Sequence, residues 1–471
     1  MKYRIQTTTP TRHRCQFFVL FMLWAVSLAC QSGRPPIIPL RYLENYRFLA
    51  DPEVRRMPLD GLKYLPVGKG KSYFSFGGNA RLGHERLGNR MGETRVYNLL
   101  RTMLHADAHL GNGLRVFAQL ANGRELGSIM PRPIDEDKAY VLNLFADLQL
   151  SKSATSSLRL RLGRFEMNYG SGRLITLREG PTLRHSWDGA RLRWQTGSWT
   201  IDALATEYVI NQTGYFDNNP FDSSQRLWGV YATNKGDRSI LDIYYLGYNN
   251  PNRPFFNDMD LSDSRHTIGS RVSVTGTVWD IEAETMLQYV EAGAAAGANK
   301  GLAPGAALNA GRTWRAGDWS FRVGLKLDYW SGDRDSLDNR VTNFNPMYVR
   351  QGYYQGAGAV FASNFFDVHP SLLIRPGKKT SLRTSINWYW RSSPEDGVYV
   401  GGVGIPALPP DPLNTSRYLG RQLDLTLRHS FNRYLSLTAV YSRFQPGGFV
   451  APTPTPLEIR NFLNVLFWAA F

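Results

Sequence analysis

From Tyr73 to the final residue, apolar side chains recur at every second position, broken only by short polar turns and longer loops. Tyr140, Leu142, Leu144, Ala146, Leu148 and Leu150 share one parity, with Asn143, Asp147 and Gln149 on the other. Trp319, Phe321, Val323, Leu325 and Leu327 oppose Arg322, Lys326 and Asp328. Leu423, Leu425 and Leu427 oppose Gln422, Asp424, Thr426 and Arg428. A period of two is the signature of strands, whose successive side chains point to opposite faces. Beyond one N-terminal stretch, no apolar run is long enough for a spanning helix, which excludes a helical membrane protein. With 42% apolar and 13% aromatic residues, the chain also buries too much surface to be disordered.

The pattern predicts strands at 73–87, 94–110, 114–123, 138–150, 157–168, 186–195, 198–208, 226–234, 239–248, 263–275, 277–292, 304–315, 318–330, 362–375, 379–391, 417–430, 434–444 and 458–471. That makes eighteen. Tight turns such as Gly111-Asn112-Gly113, Thr196-Gly197-Ser198 and Ala316-Gly317-Asp318 separate some of them. Long Gly/Pro/Asn loops at 170–185, 211–225, 249–262, 332–361 and 392–416 separate others. Short turns at one end and long loops at the other define an all-β fold, a transmembrane antiparallel β-barrel of the outer membrane over residues 73–471. An even strand number brings both termini to the turn end, and eighteen strands enclose a lumen rather than a packed interior.

The last strand places Leu463, Val465, Phe467, Ala469 and Phe471 on one face and stops at an aromatic. In a soluble protein such an edge invites aggregation, whereas in lipid it closes a barrel. Phe471 is therefore the expected assembly signal, read by the barrel-assembly machinery.

The other end reads as an address. Basic residues 1–16 precede a short apolar run, 17–29, and Ser27 and Ala29 give the small-x-small pattern of a cleavage site. Residues 1–29 are expected to be a signal peptide. Residues 30–72, rich in proline up to Pro66, are expected to be a periplasmic segment lying beneath the barrel or tucked into its mouth. The two cysteines, Cys15 and Cys30, give the barrel no disulfide framework and no Cys-based metal site. Cleavage before Cys30 would expose a lipidation site, although Ser27 stands where lipoprotein signals prefer Leu.

The net charge is +16, and removing residues 1–29 takes four bases and no acid from it, leaving +12. Such a surplus favours anionic partners. No block of five like charges exists, so nucleic acid is not among them. If the apolar parity faces lipid, Arg81, Arg101, Arg115, Arg159, Arg161, Arg191, Arg193, Arg271, Arg322, Lys326 and Arg383 face the lumen. So do Asp107, Asp147, Asp242, Asp280, Glu282, Glu284, Asp328 and Asp424. The expected wall is wet, weakly positive and laced with ion pairs. Any one of these charges reads most simply as part of a solvated wall, but together they attract anions. Arg159 and Arg161 with Arg191 and Arg193 on the next strand form the densest basic patch, and Glu282 and Glu284 its acidic counterpart.

No catalytic constellation, cofactor motif or metal site is evident. His105, Asp107 and His109 alternate on one strand and read as a polar lumen face rather than a metal site. Gly170-Ser171-Gly172 and Gly401–Gly404 lack a phosphate-loop lysine.

Four blocks of the chain are similar to the alginate-export family of outer-membrane barrels. They are RYLENYRFLADPEVRRMPLDGLKYLPVG at 41–68, GRFEMNYGSGRLITLREGPTLRHSWDGARLRW at 163–194, YWSGDRDSLDNRVTNFNPMYVRQGYYQG at 329–356 and RYLGRQLDLTLRHSFNRYLSLTAVYSRFQPGG at 417–448. The resemblance implies an eighteen-stranded barrel that passes the polyanion alginate outward through a narrow, arginine-rich constriction. By motif position it implies a conduit of Arg164, Arg173, Arg178, Arg184, Asp188, Arg191, Arg334 and Arg421. Parity disagrees for Arg164 and Arg421, which share the lipid-facing register; a bulge at Gly163 or Gly420 would bring them inside.

Three functions follow. The first is export of an acidic exopolysaccharide through a bore plugged by loops when idle, served by a periplasmic secretion scaffold. The second is a porin taking up small organic anions. The third is a structural or adhesin barrel without transport. The basic lumen favours the first two.

Overall fold

The computed structural model describes residues 36–471 except 69–70, 89–93, 128–130, 252–261, 294–298, 336–337, 339, 350–351, 353–362, 400–407 and 453–460. The expected signal peptide and Cys30 lie outside the described residues.

Eighteen antiparallel strands close on themselves. They are β2 (Ser72–Gly88), β3 (Thr94–Leu110), β4 (Leu114–Leu126), β5 (Asp137–Lys152), β6 (Ser156–Phe165), β7 (Trp187–Thr196), β8 (Trp199–Tyr208), β9 (Arg226–Lys235) and β10 (Ser239–Asn250). The ring continues through β11 (Ser262–Thr275), β12 (Trp279–Gly293), β13 (Asn299–Ala316), β14 (Trp319–Trp330), β15 (Phe365–Pro376), β16 (Thr380–Trp390), β17 (Tyr418–Ser430), β18 (Leu435–Pro446) and β19 (Asn461–Ala470). Each pairs with the next, and β19 returns to β2 from Asn461↔Gly88 to Ala470↔Asn79. Closure leaves the barrel wall with no long free edge. A short strand, β1 (Leu65–Val67), pairs with Ser72–Phe74 at the start of β2.

Every expected strand has a counterpart. β13 begins earlier than expected, at Asn299, because pairing with β12 carries through Pro304. β6 ends earlier, at Phe165, because Glu166 turns inward: its backbone N–H donates to Asn143 and its carboxylate accepts from the same side chain.

Alternation sorts the two faces. On β3, Tyr97, Leu99, Arg101, Met103, His105 and Asp107 are buried, while Val96 and Leu104 are exposed on the outside. One stretch differs from the sequence reading. Tyr140 and Leu142 were expected to share a face with Leu144, yet both are buried while Leu144 is exposed. A register shift between Gln119 and Leu120, where Asn143 and Val141 are the successive partners, leaves Leu142 as an extra residue and swaps the parity beyond it. Exposed Trp194, Trp279, Trp314 and Trp319 sit beside tight turns on the outside, as in the aromatic girdle of a membrane barrel.

The interior is more filled than a simple bore. Met167, Leu174 and Ile175 of the β6–β7 loop and Val341, Phe344 and Tyr348 of the β14–β15 loop are buried. They form one apolar cluster with the wall residues Phe145, Trp187, Tyr231 and Trp330. Backbone hydrogen bonds from Thr176 to Tyr348 and from Tyr348 to Leu174 tie the two loops together. From the turn end, Tyr42 enters the same cluster, carried by a chain that makes 3-10 turns at Arg41–Leu43 and Arg47–Ala50 and one helical turn at Asp60–Lys63.

Candidate functional site: a basic vestibule and a strap across the lumen

Two features organise the lumen. The first is a cavity of about 1170 Å³ at the turn end. Its lining includes the N-terminal chain at Tyr42–Arg47, the turn at Gly111–Gly113, and the inner wall at Arg159, Arg161, Arg191 and Arg193. Eight lysines and arginines line it against two carboxylates, Glu44 and Asp147.

The wall quartet is set by strand register. Arg159 stands opposite Arg193, and Arg161 opposite Arg191. Like charges placed directly across a ladder repel. Two of the four are neutralised in bidentate pairs: Arg161 by Asp147 at 2.7 and 2.9 Å, and Arg193 by Asp202 at 2.7 and 2.6 Å. Arg161 also lies 3.6 Å from the Phe145 ring centre and 4.3 Å from that of Tyr42. The other two have no carboxylate among the described residues. Arg159 reaches only the amide oxygen of Gln149, at 3.3 Å. Arg191 is 5% exposed, its Nε has no hydrogen-bond partner among the described residues, and its guanidinium rests 5.5 Å from the Phe165 ring centre.

The second feature is the β6–β7 loop, 166–186, which runs across the lumen as a strap. At one end Arg173 binds Glu282 at 2.8 Å and Glu284 at 2.5 Å, both on β12. At the other, Arg101 on β3 binds Glu179 at 2.5 Å, and Arg81 on β2 donates to the carbonyls of Glu179 and Pro181 at 2.6 and 2.7 Å. β3 and β12 are nine strands apart in the ring of eighteen, so the strap spans a diameter. Arg184, within the strap, contacts Glu179 and Glu166 and donates to Pro39 of the N-terminal chain. Burial works against the Glu179 carboxylate, yet Arg101, Arg184 and Arg81 hold its pKa down to about 2. Arg178 is half-buried on the same loop, in the left-handed backbone region, with Nε donating to Leu183.

Not every residue implied by the family resemblance reaches the lumen. Phe165 and Trp187 are fully buried inside, so their neighbours Arg164 and Asp188 point the other way. The pairing through Gly163↔Gly189 runs without a bulge, and Arg164 stays on the parity of Leu162 and Leu144. It forms a bidentate pair with Asp188 at 2.8 Å, covered by Asn218 of the β8–β9 loop. Arg421 also stays outside. The register does shift beside Gly420, but inward-facing Gln422 is fully buried while Arg421 is exposed and bound to Gln445. Arg334 is exposed on the β14–β15 loop, away from the quartet. Arg164, Asp188 and Arg421 thus leave the list of lumen residues, while Arg81, Arg101, Arg173 and Arg184 take places at the ends of the strap.

Sequence reasoning missed Asp202, Glu166, Glu179 and Tyr42. Asp202 sat in view on the inward parity of β8, beside Leu204 and Thr206. The others belong to loops, where no periodicity assigns a direction.

A sequence profile described as alginate export matches residues 72–460. The chain belongs to the alginate-export family. No curated protein sequence matches it. Solved outer-membrane proteins share the fold. Acinetobacter baumannii OccAB3 is similar at a TM-score of 0.57 and 8% identity, over 84% of this chain and 99% of that one. Pseudomonas aeruginosa OccD3 (OpdP) is similar at a TM-score of 0.56 and 12% identity, over 87% and 93%. Pseudomonas aeruginosa OccK2 (OpdF), solved in complex with glucuronate, is similar at a TM-score of 0.54 and 13% identity, over 84% and 98%. This alginate-export family member is an outer-membrane channel, seated in lipid. Its family and fold are those of channels, which are not enzymes.

Proposed function

We propose that this channel passes anions, and that its substrate is an acidic, alginate-like exopolysaccharide moving outward from the turn end. The observation that carries this reading is the Arg159–Arg161–Arg191–Arg193 wall. Cross-strand register forces four guanidinium groups together, and two of them have no carboxylate among the described residues. In a constriction with low-dielectric walls, such charges concentrate anions and repel cations. The eight-to-two excess of bases at the turn-end cavity fits a chain of carboxylates better than an isolated one. Under this reading the turn end faces the periplasm, residues 1–29 are the export signal, and residues 30–72 form the periplasmic segment that meets a secretion scaffold.

In planar bilayers the protein should be anion-selective. Short uronic-acid oligomers added at the turn end should block the current at lower concentration than neutral oligomers of equal length. A cation-selective pore, or equal block by both oligomers, would remove the anionic-substrate reading and leave only the barrel.

One observation favours a second reading, uptake of small organic anions: the fold neighbour OccK2 was solved with glucuronate. Saturable entry of monomeric uronates into liposomes, with no oligomer block, would select it.

A further inference from the structure

Three bases on the outer face, toward the loop end, hold carboxylates: Arg124 binds Glu136 at 3.0 Å, Lys300 binds Glu291 at 3.2 Å and Arg164 binds Asp188 at 2.8 Å. Three others do not. Arg421 on β17, Arg443 on β18 and Arg86 on β2 are exposed, and among the described residues none of them has an ion pair; Arg421 reaches only the amide oxygen of Gln445, at 3.0 Å. Their neighbours Gln422, Ser442, Phe444 and Glu85 are buried inside, so these three point outward. Register gathers them. Arg421 pairs with Gln445, two residues along the same face from Arg443. Arg443 pairs with Asn461, and Leu463, two residues further on, pairs with Arg86. Such a diagonal spans about 7–8 Å, and two strand spacings about 10 Å. The arginines therefore form one patch across β17, β18, β19 and β2, where the ring closes. Arg421 stands directly opposite Trp388, and one step nearer the loops Trp390 lies beside Phe366 and Tyr418, with ring centres 5.6 and 5.7 Å apart. Aromatic rings of this kind mark the membrane–water interface. On the turn-end side of Arg421 the same face of β17 carries Leu423, Leu425 and Leu427. The patch thus lies where hydrocarbon gives way to headgroups.

We propose that Arg421, Arg443 and Arg86 bind the phosphate groups of a glycolipid in the outer leaflet, seated on the outside of the barrel across its closing seam. The inference depends on the membrane setting and not on what the lumen passes. Long loops of outer-membrane barrels face the exterior, which puts the patch in the outer leaflet. Guanidinium groups take phosphate in a planar, two-pronged arrangement, and clusters of bases at the headgroup level recruit anionic lipid. One phospholipid phosphate cannot reach bases spread over four strands. A sugar headgroup with a phosphate at either end matches that span, one phosphate between Arg421 and Arg443 and the other at Arg86. The acyl chains then lie along the leucine face below. Because the lipid bridges β17 and β18 to β2, it binds only the closed ring and stabilises closure by mass action.

The test titrates bisphosphorylated lipid A into the purified full-length protein in nonionic detergent and counts bound lipid by native mass spectrometry. One lipid A should bind saturably, and lipid A stripped of both phosphates should bind at least about tenfold more weakly. Arg421→Ala, Arg443→Ala and Arg86→Ala should each weaken binding of the phosphorylated lipid about tenfold. Lys300→Ala, which removes a base that already holds Glu291, should bind as the unaltered protein does. Equal binding of the phosphorylated and stripped lipids overturns the proposal, and that comparison needs no variant. Equal affinity for phosphatidylglycerol, with its single phosphate, overturns the assignment to a glycolipid. An equal loss in Lys300→Ala would show attraction to the barrel's charge as a whole and remove the site.

Discussion

Arg161 and Arg191 stand opposite each other across the β6–β7 ladder, yet among the described residues only Arg161 has a carboxylate, Asp147, to neutralise it. The ladder sets two like charges side by side, and the neighbouring strand supplies compensation for one. The surplus is held inside the lumen, within a Debye length of ~10 Å at moderate salt. Changing Arg159 and Arg191 together to Glu should move the reversal potential toward cation selectivity, and the difference should shrink as salt rises. A double variant matching wild type would show that the quartet does not set selectivity.

The residues placed outside give the converse. Arg421→Ala should leave conductance and selectivity unchanged, because the side chain is exposed on the outer face. Arg164→Ala should also keep selectivity but lower stability. It strands Asp188, 5% exposed, without its partner, a loss of about 3–5 kcal/mol for a buried pair. A changed reversal potential in either variant would contradict the register described above. Thermal melts in detergent give the stability half of the comparison.

Glu179 predicts an acid response. Its folded pKa is held at about 2, below the ordinary 4.5. A depressed carboxylate contributes its full stabilisation above the ordinary value and loses it as pH falls through the folded one. The melting temperature should therefore fall between pH 4.5 and about 2, and fall less over that window in Glu179→Gln. Parallel decline in both proteins would assign the acid loss elsewhere.

Phe471 closes the barrel seam. Its N–H and carbonyl exchange hydrogen bonds with Gly78 at 3.0 and 3.1 Å, and Arg41 donates to the same carbonyl at 2.7 Å. Deleting Phe471 should cut the yield of heat-modifiable barrel while secretion continues. Arg41→Ala should reduce the yield less, because the β19–β2 pairing remains. Normal yield without Phe471 would refute its role as an assembly signal.

Gly163 tests the local backbone. It sits at φ +124°, and a Cβ there would lie 2.2 Å from the Leu144 carbonyl oxygen. Gly163→Ala should destabilise the barrel by roughly 1–3 kcal/mol. It should also disturb the Arg164–Asp188 pair next to it, read out as a lower melting temperature. An unchanged melt would mean that the wall relaxes at no cost.

The sequence alone determined the barrel, its strand number and most strand limits, because a period of two leaves no ambiguity where one face meets lipid. It also determined which arginines of β6 and β7 point inward, and local parity proved the better guide for Arg164 and Arg421 than motif position. What it could not determine is how charges meet. Asp147 and Asp202 choose Arg161 and Arg193 through register between neighbouring strands, which no single strand encodes. Tyr140 and Leu142 turned inward through a register shift that alternation does not announce. The strap was beyond reach altogether: its partners on β3 and β12 are distant in sequence and face each other only once eighteen strands have closed into a ring. Loops carry no periodicity, so where they fold, and which wall charges they take, was decided by the tertiary structure.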